Sequence, residues 1–151
     1  MGRKYLVAVD GSQHGWKALS VASELAKQMR AELLILHVVP YERLPDALKE
    51  FASVENIPVE EASARYHLDR EIGDAITREA EARARGRDVE KVTARVAEGN
   101  PVEKILELAQ AEGVSMIIVG SRGLSDASSL LMGSVSHKVV HLAPCTCLAV
   151  K

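Results

Sequence analysis

Apolar residues in this chain fall in short unbroken runs, separated by longer stretches of helical period. Tyr5 to Val9 is the first run, rich in Val and Leu, the pattern of a strand buried on both faces. Asp10-Gly11-Ser12 ends it and Ser12 is placed to cap a helix. From about Gln13 to Arg30, Trp16, Leu19, Ala22, Leu25, Ala26 and Met29 then recur at helical spacing. Leu33 to Val39 is a second strand, stopped by Pro40. The charged stretch Val59 to Arg85 predicts a long helix with Gly86 as its C-cap. In Val89 to Ala97, Val92, Ala94 and Val96 alternate with Thr93, Arg95 and Ala97, which predicts a third strand. Gly99-Asn100-Pro101 sets a turn with proline at a helix start, and Ile105, Leu106, Leu108 and Ala109 carry that helix to near Gly113. Met116 to Val119 is the fourth strand. A helix over Ser134 to Leu142 is broken by Pro144, and Thr146 to Val150 closes the chain as a fifth strand.

Strict alternation of strand and helix predicts an α/β fold, doubly wound, with an open five-stranded parallel sheet and helices on both faces. A length of 151 residues suits a single domain. Residues 40–57 are the least regular part: Pro45 and Pro58 bracket a short helix, Asp46 to Val54, within an expected mobile excursion. Glu and Arg alternate over Arg78 to Arg87, as on a solvated helix face.

The richest chemistry follows the fourth strand. Gly120-Ser121-Arg122-Gly123 is followed, after nine residues, by Gly133-Ser134 at a helix start. Glycines there let a backbone approach an anion, and a helix N-terminus supplies free N–H groups and positive potential. The same residues would serve a plain strand–turn–helix linker. In an open α/β sheet, ligands sit beyond the carboxyl ends of the strands where strand order reverses. If strands one and four are neighbours, Asp10 faces the glycine loop, and Asp10, Gly11 and Ser12 at the end of strand one are candidate nucleotide-binding residues. Amides around Gly120, Arg122 and Gly123 would then hold phosphate oxygens, with charge from Arg122 and a hydroxyl from Ser134. Asp10 suits a hydroxyl, an amine or a divalent cation, or bonds its own backbone as a turn residue. Val38, ending strand two, offers backbone N–H and C=O to a base edge.

Composition removes other classes. A formal charge of -2 and 3% aromatic residues argue against a nucleic-acid partner. No apolar run spans a bilayer or makes a signal-peptide core, so the expected compartment is the cytoplasm. Cys145 and Cys147 share a strand face, where they read as packing residues rather than metal ligands. His137 and His141 have the i,i+4 spacing of a chelating pair, but no third ligand is near in sequence, so they read as surface or interface histidines. His14 lies near the proposed site as a bystander, and His37 is expected to be packed and hydrogen-bonded. Ser121, Ser125, Ser128 and Ser129 are candidate phosphorylation positions or simply polar loop residues.

The spacing G-2x-G-9x-G-[S/T], matched by Gly120, Gly123, Gly133 and Ser134, resembles the ATP-binding branch of the universal stress protein family. The resemblance covers essentially the whole chain. It includes Val7-Ala8-Val9-Asp10-Gly11-Ser12, Leu36-His37-Val38, Gly99-Asn100-Pro101, Ile118-Val119-Gly120-Ser121-Arg122-Gly123 and Pro144-Cys145-Thr146-Cys147-Leu148-Ala149-Val150. It implies strand order 3-2-1-4-5. It implies ATP as ligand, with adenosine bound by Asp10 and Val38, ribose and phosphates at Gly120, Gly123, Gly133 and Ser134, and Mg or Mn on the phosphates. It also implies a homodimer paired through the last strand, at Thr146, Leu148 and Val150.

The function expected is that of an adenine-nucleotide-binding stress-response regulator with little or no turnover. The alternative is a weak ATPase or other nucleotide-hydrolysing enzyme on the same scaffold. Neither G-x-x-x-x-G-K-[ST] nor a G-x-G-x-x-G after strand one is present. Asp10-Gly11-Ser12 does not supply the first-strand serine-glycine loop of adenylating enzymes. A receiver-like switch ranks last, because it needs an acidic pair after strand one and an Asp after strand three.

Overall fold

The computed structural model describes residues 2–40, 53–56, 59–123 and 132–151. In chain order the elements are β1 (Lys4–Ala8), α1 (Gln13–Met29), β2 (Glu32–Val39), α2 (Val59–Arg85), β3 (Val92–Glu98), α3 (Pro101–Ala111), β4 (Met116–Gly120), α4 (Ser134–Leu142) and β5 (Thr146–Val150). All four strand pairings are parallel and the order across the sheet is β3-β2-β1-β4-β5. The five-stranded sheet with helices on both faces is therefore the architecture expected.

Its two faces explain the apolar runs. Successive residues of a strand point to opposite sides. Tyr5, Val7, Leu33, Ile35 and Ile118 accordingly pack with α1 and α2, against Leu19, Ala22, Ala80 and Ala84. Leu6, Leu34, Leu36, Ile117 and Val119 pack the other way, with Ile105 and Ala109 of α3 and Val139 of α4. Leu6, Val7, Leu33, Ile35, Ile117 and Ile118 are wholly buried.

Local chemistry sets the helix ends. The Ser12 side chain accepts from Gly15 N at 3.1 Å and starts α1. Arg30 takes the left-handed conformation, φ 51°, to end it, and Ala31 N donates back to Ala26 O at 2.8 Å. Asn100 caps α3 through Glu103 N, with Pro101 at its first turn.

Several boundaries differ from expectation. β1 runs Lys4–Ala8 rather than Tyr5–Val9; Val9 has left the β1 ladder, though its N–H still donates to Leu36 O at 2.9 Å. β3 starts at Val92, not Val89. The chain leaves α2 through a turn in which Asp88 holds φ 62° and Val89 N bonds Ala84 O, so Val89 plugs the end of the helix. Asp88, not Gly86, is the left-handed residue; Gly86 continues the helical bonding to Ala82 O. Of the helix expected over Asp46–Val54, Ser53 and Val54 are helical and residues 46–52 lie outside the described residues.

Candidate functional site

β1 has β2 on one side and β4 on the other, so the winding of the chain reverses between β1 and β4. A parallel sheet opens a crevice at that point, beyond the carboxyl ends of the strands. The cleft found there has a volume of about 340 Å3 and lies between the ends of β1, β2 and β4 and the first turns of α3 and α4. Asp10, Val38, Gly120, Arg122, Gly123, Gly133 and Ser134 all line it. These seven residues come from three strand ends and a helix start, and the fold brings them to one place.

Gly11 and Ser12 do not line the cleft. Gly11 makes the turn out of β1 at φ 82°, and Ser12 is buried as the α1 cap. Asp10 takes part in that turn: its Oδ1 accepts from Ser12 N at 2.9 Å. This is the turn role anticipated for it, held while the residue also faces the cleft.

Gly120 has a packing duty that the sequence does not announce. A Cβ there would lie 2.7 Å from His14 C and 2.8 Å from His14 O, so its bareness lets β4 run against the first turn of α1. Gly15 is matched to the same corner: a Cβ on it would meet Asp10 Oδ1 at 2.8 Å.

The start of α4 differs from those of α1 and α3. Its N-cap is Gly133, φ -62° and ψ 160°, and no side chain among the described residues bonds back to the first turn. First-turn amides without such a cap present donors and the positive end of the helix dipole. Here they open beside Gly133 and Ser134 onto the cleft. The charged residues lining the cleft are Asp10 and Arg122, among the described residues.

Ser121 organises this wall without lining it. Its N–H donates to Val150 O at 2.7 Å, its carbonyl accepts from Gly133 N at 2.6 Å and Ser136 Oγ at 3.0 Å, and its Oγ pairs with His14 Nδ1 at 3.2 Å. One buried serine thus joins the end of β5, the start of α4 and the start of α1. In sequence it is one residue of the glycine loop, a candidate phosphorylation position or simply a polar loop residue; Ser125, Ser128 and Ser129 lie outside the described residues. His37 is packed and bonded as expected, its Nδ1 donating to Val9 O at 2.8 Å.

The sequence reading also missed Pro40, Pro101, Ile105 and Val135, which give the cleft an apolar wall. Their types carry no chemical signal; only strand order places them together. Cys145 and Cys147 both pack into the α3–α4 layer, and burial pushes both thiols up from their usual range. Cys147 Sγ is turned to Val139 O at 3.9 Å. No helix among the described residues is long and apolar enough to cross a membrane.

Comparison with known proteins gives a consistent result. The model of the universal stress protein family matches residues 1–151. Universal stress protein YxiE of Bacillus subtilis is 38% identical, with all of both chains covered. Among solved structures, the universal stress protein UspA from Lactobacillus plantarum superposes with a TM-score of 0.82 at 21% identity, covering 99% of this chain and 97% of that one. A universal stress protein solved in complex with cAMP has a TM-score of 0.68 at 25% identity, covering 99% of this chain and 96% of that one.

Proposed function

The chain belongs to the universal stress protein family, and on that premise we propose that it is a cytoplasmic regulator that binds an adenine nucleotide, with ATP as the ligand, and acts as a homodimer with little or no turnover. The observation that carries this reading is the uncapped start of α4, opening at Gly133 and Ser134 onto a cleft that Arg122 and Gly123 also line. Backbone donors, a helix dipole and one guanidinium are together a receptor for an anionic tail. The phosphates lie at this end. Adenosine occupies the Asp10 and Val38 end, where Pro40, Pro101 and Ile105 supply an apolar wall. The relative solved with cAMP supports adenine as the base.

A divalent cation fits this cleft only as a passenger on the phosphates. Among the described residues there is no group of three or more His, Cys, Asp or Glu side chains able to hold a metal ion. Mg2+ binds by one or two carboxylates plus phosphate oxygens, and Asp10 is the carboxylate lining the cleft. At the α4 end a bound Mg or Mn would neutralise phosphate charge, held by phosphate oxygens and water, with Asp10 at the adenosine end.

Low turnover follows from what hydrolysis requires. A water must be oriented and the transferred charge stabilised, while the carboxylate lining the cleft among the described residues, Asp10, stands at the adenosine end. The alternative, a weak ATPase, would draw on Arg122 and the phosphate-borne cation.

Titration calorimetry of ligand-free protein with Mg-ATP tests the reading, with phosphate release measured in parallel. Saturable binding with negligible release is the expected outcome. Gly123→Val and Gly133→Val should each weaken binding by about tenfold or more, because side chains would occupy the anion position. Both should melt near the parent in the absence of nucleotide. Absence of heat and saturation with the folded parent defeats the proposal, and release that scales with active protein selects the ATPase instead.

A further inference from the structure

α4 presents two imidazoles that the cleft does not use. His137 and His141 are both exposed, one turn apart, with ring centroids 5.3 Å apart and planes 23° from parallel. Positions four apart share a helix face. Val139, two residues from each, is wholly buried against the sheet. Two residues of helix turn through about 200°, so the histidine face looks away from the sheet into solvent. The chain's other three histidines are engaged: His14 with Ser121, His37 with Val9, and His67 edge-on to Tyr66. Among the described residues, neither His137 nor His141 has a hydrogen-bond partner that would hold its ring elsewhere.

We propose that His137 and His141 form a two-imidazole chelate for a late first-row transition-metal cation of the nickel, copper or zinc class, with water filling the remaining positions. Imidazole nitrogen suits these ions, whereas Mg2+ and Ca2+ take oxygen ligands. Two nitrogens about 2.1 Å from one metal, at about a right angle, stand about 3 Å apart. Exposed rings swing between rotamers in picoseconds to nanoseconds, so rotation of the two side chains can bring a nitrogen of each to that spacing. Once one imidazole binds, the second binds intramolecularly at high effective concentration. The chelate ties adjacent turns of a nine-residue helix, a length that is marginal in isolation. It is distinct from any cation carried on nucleotide phosphates, since it needs no phosphate and its donors are nitrogen.

The experiment is titration calorimetry of the untagged full chain with nickel(II) chloride in a non-chelating buffer, nucleotide absent, with melting temperatures recorded alongside. The expected result is one saturable site per chain, a raised melting temperature reversed by EDTA, and no effect of Mg2+ at equal concentration. His137→Gln and His141→Gln each weaken nickel binding by about tenfold or more and abolish the thermal shift. Both positions are exposed, so both variants should melt with the parent when metal is absent. Nickel binding by either variant equal to the parent's, its loss in Cys147→Ser, or no saturation at millimolar nickel each overturns the proposal.

Discussion

A Cβ added at Gly120 would meet not a mobile side chain but the peptide of His14, at 2.7 and 2.8 Å. Gly120→Ala must therefore push β4 away from α1 or distort the first turn of α1. Overpacking of this kind costs about 1–3 kcal/mol. Urea unfolding should show that loss for Gly120→Ala with no nucleotide present, which makes the variant a poor probe of binding and Gly123 a better one. Asp10 bonds the Ser12 amide and also lines the cleft, where it is proposed to meet the nucleotide. Asp10→Ala removes the acceptor for Ser12 N and should cost about 1 kcal/mol of stability as well as ATP affinity. Asp10→Asn keeps an oxygen acceptor for the turn. It should melt close to the parent while still binding Mg-ATP more weakly. Equal ATP affinity in Asp10→Asn and the parent would remove the carboxylate's charge from recognition.

Among the strands, β5 stands apart. It pairs with β4 from Met116↔Thr146 to Gly120↔Val150 and has no described neighbour on its other side. An apolar edge of this kind is a template for another strand, and a second copy of the same edge is the partner proposed. Thr146→Lys places a charge on that edge at its exposed position. In sedimentation, the parent should run as a dimer and the variant as a folded monomer. A parent that sediments as a monomer at micromolar concentration dismisses the pairing. At the opposite border, β3 shows how a boundary is misread. Val89 is apolar and buried like Val92, yet it stands three positions before it, out of phase with the Val92, Ala94, Val96 alternation, and it serves α2, because Asp88 turns the chain left-handed just before it. An apolar residue reports that it is buried, not which element it is buried against.

Across the molecule, Glu112 ties together parts distant in sequence. It follows α3 and receives Lys4 Nζ from β1 at 2.9 Å and Arg95 Nη2 from β3 at 2.9 Å. The hydrogen bond from Lys4, then that from Arg95, holds the Glu112 carboxyl below its usual 4.5. The bond to Glu112 holds the Lys4 ammonium above its usual 10.5. A depressed carboxyl stabilises the fold above its unfolded value and loses that contribution as pH falls through the folded value. A raised amine stabilises below its unfolded value and loses the contribution as pH rises through the folded one. Glu112→Gln should therefore flatten the stability profile at both ends, below about pH 4.5 and above about pH 10.5. The difference from the parent should shrink in salt, because the network is solvent-accessible. Denaturant midpoints across pH at low and high ionic strength measure both effects.

Much of this protein is written in patterns of neighbouring residues. The runs Leu6-Val7 and Ile117-Ile118, the caps at Ser12 and Asn100 and the glycine spacing after β4 depend on local backbone preference and on burial of both sheet faces, and they could be read directly. The apolar residues that complete the cleft could not be read this way. Pro40, Pro101 and Ile105 meet Val119 and Ser136 there because β1 lies between β2 and β4, a contact order that no local period encodes. The division of labour among glycines depends on the same packing. Gly120 is bare because α1 crosses it, and Gly15 because Asp10 folds over it. The central place of Ser121 arises only when the ends of three elements converge on one buried side chain.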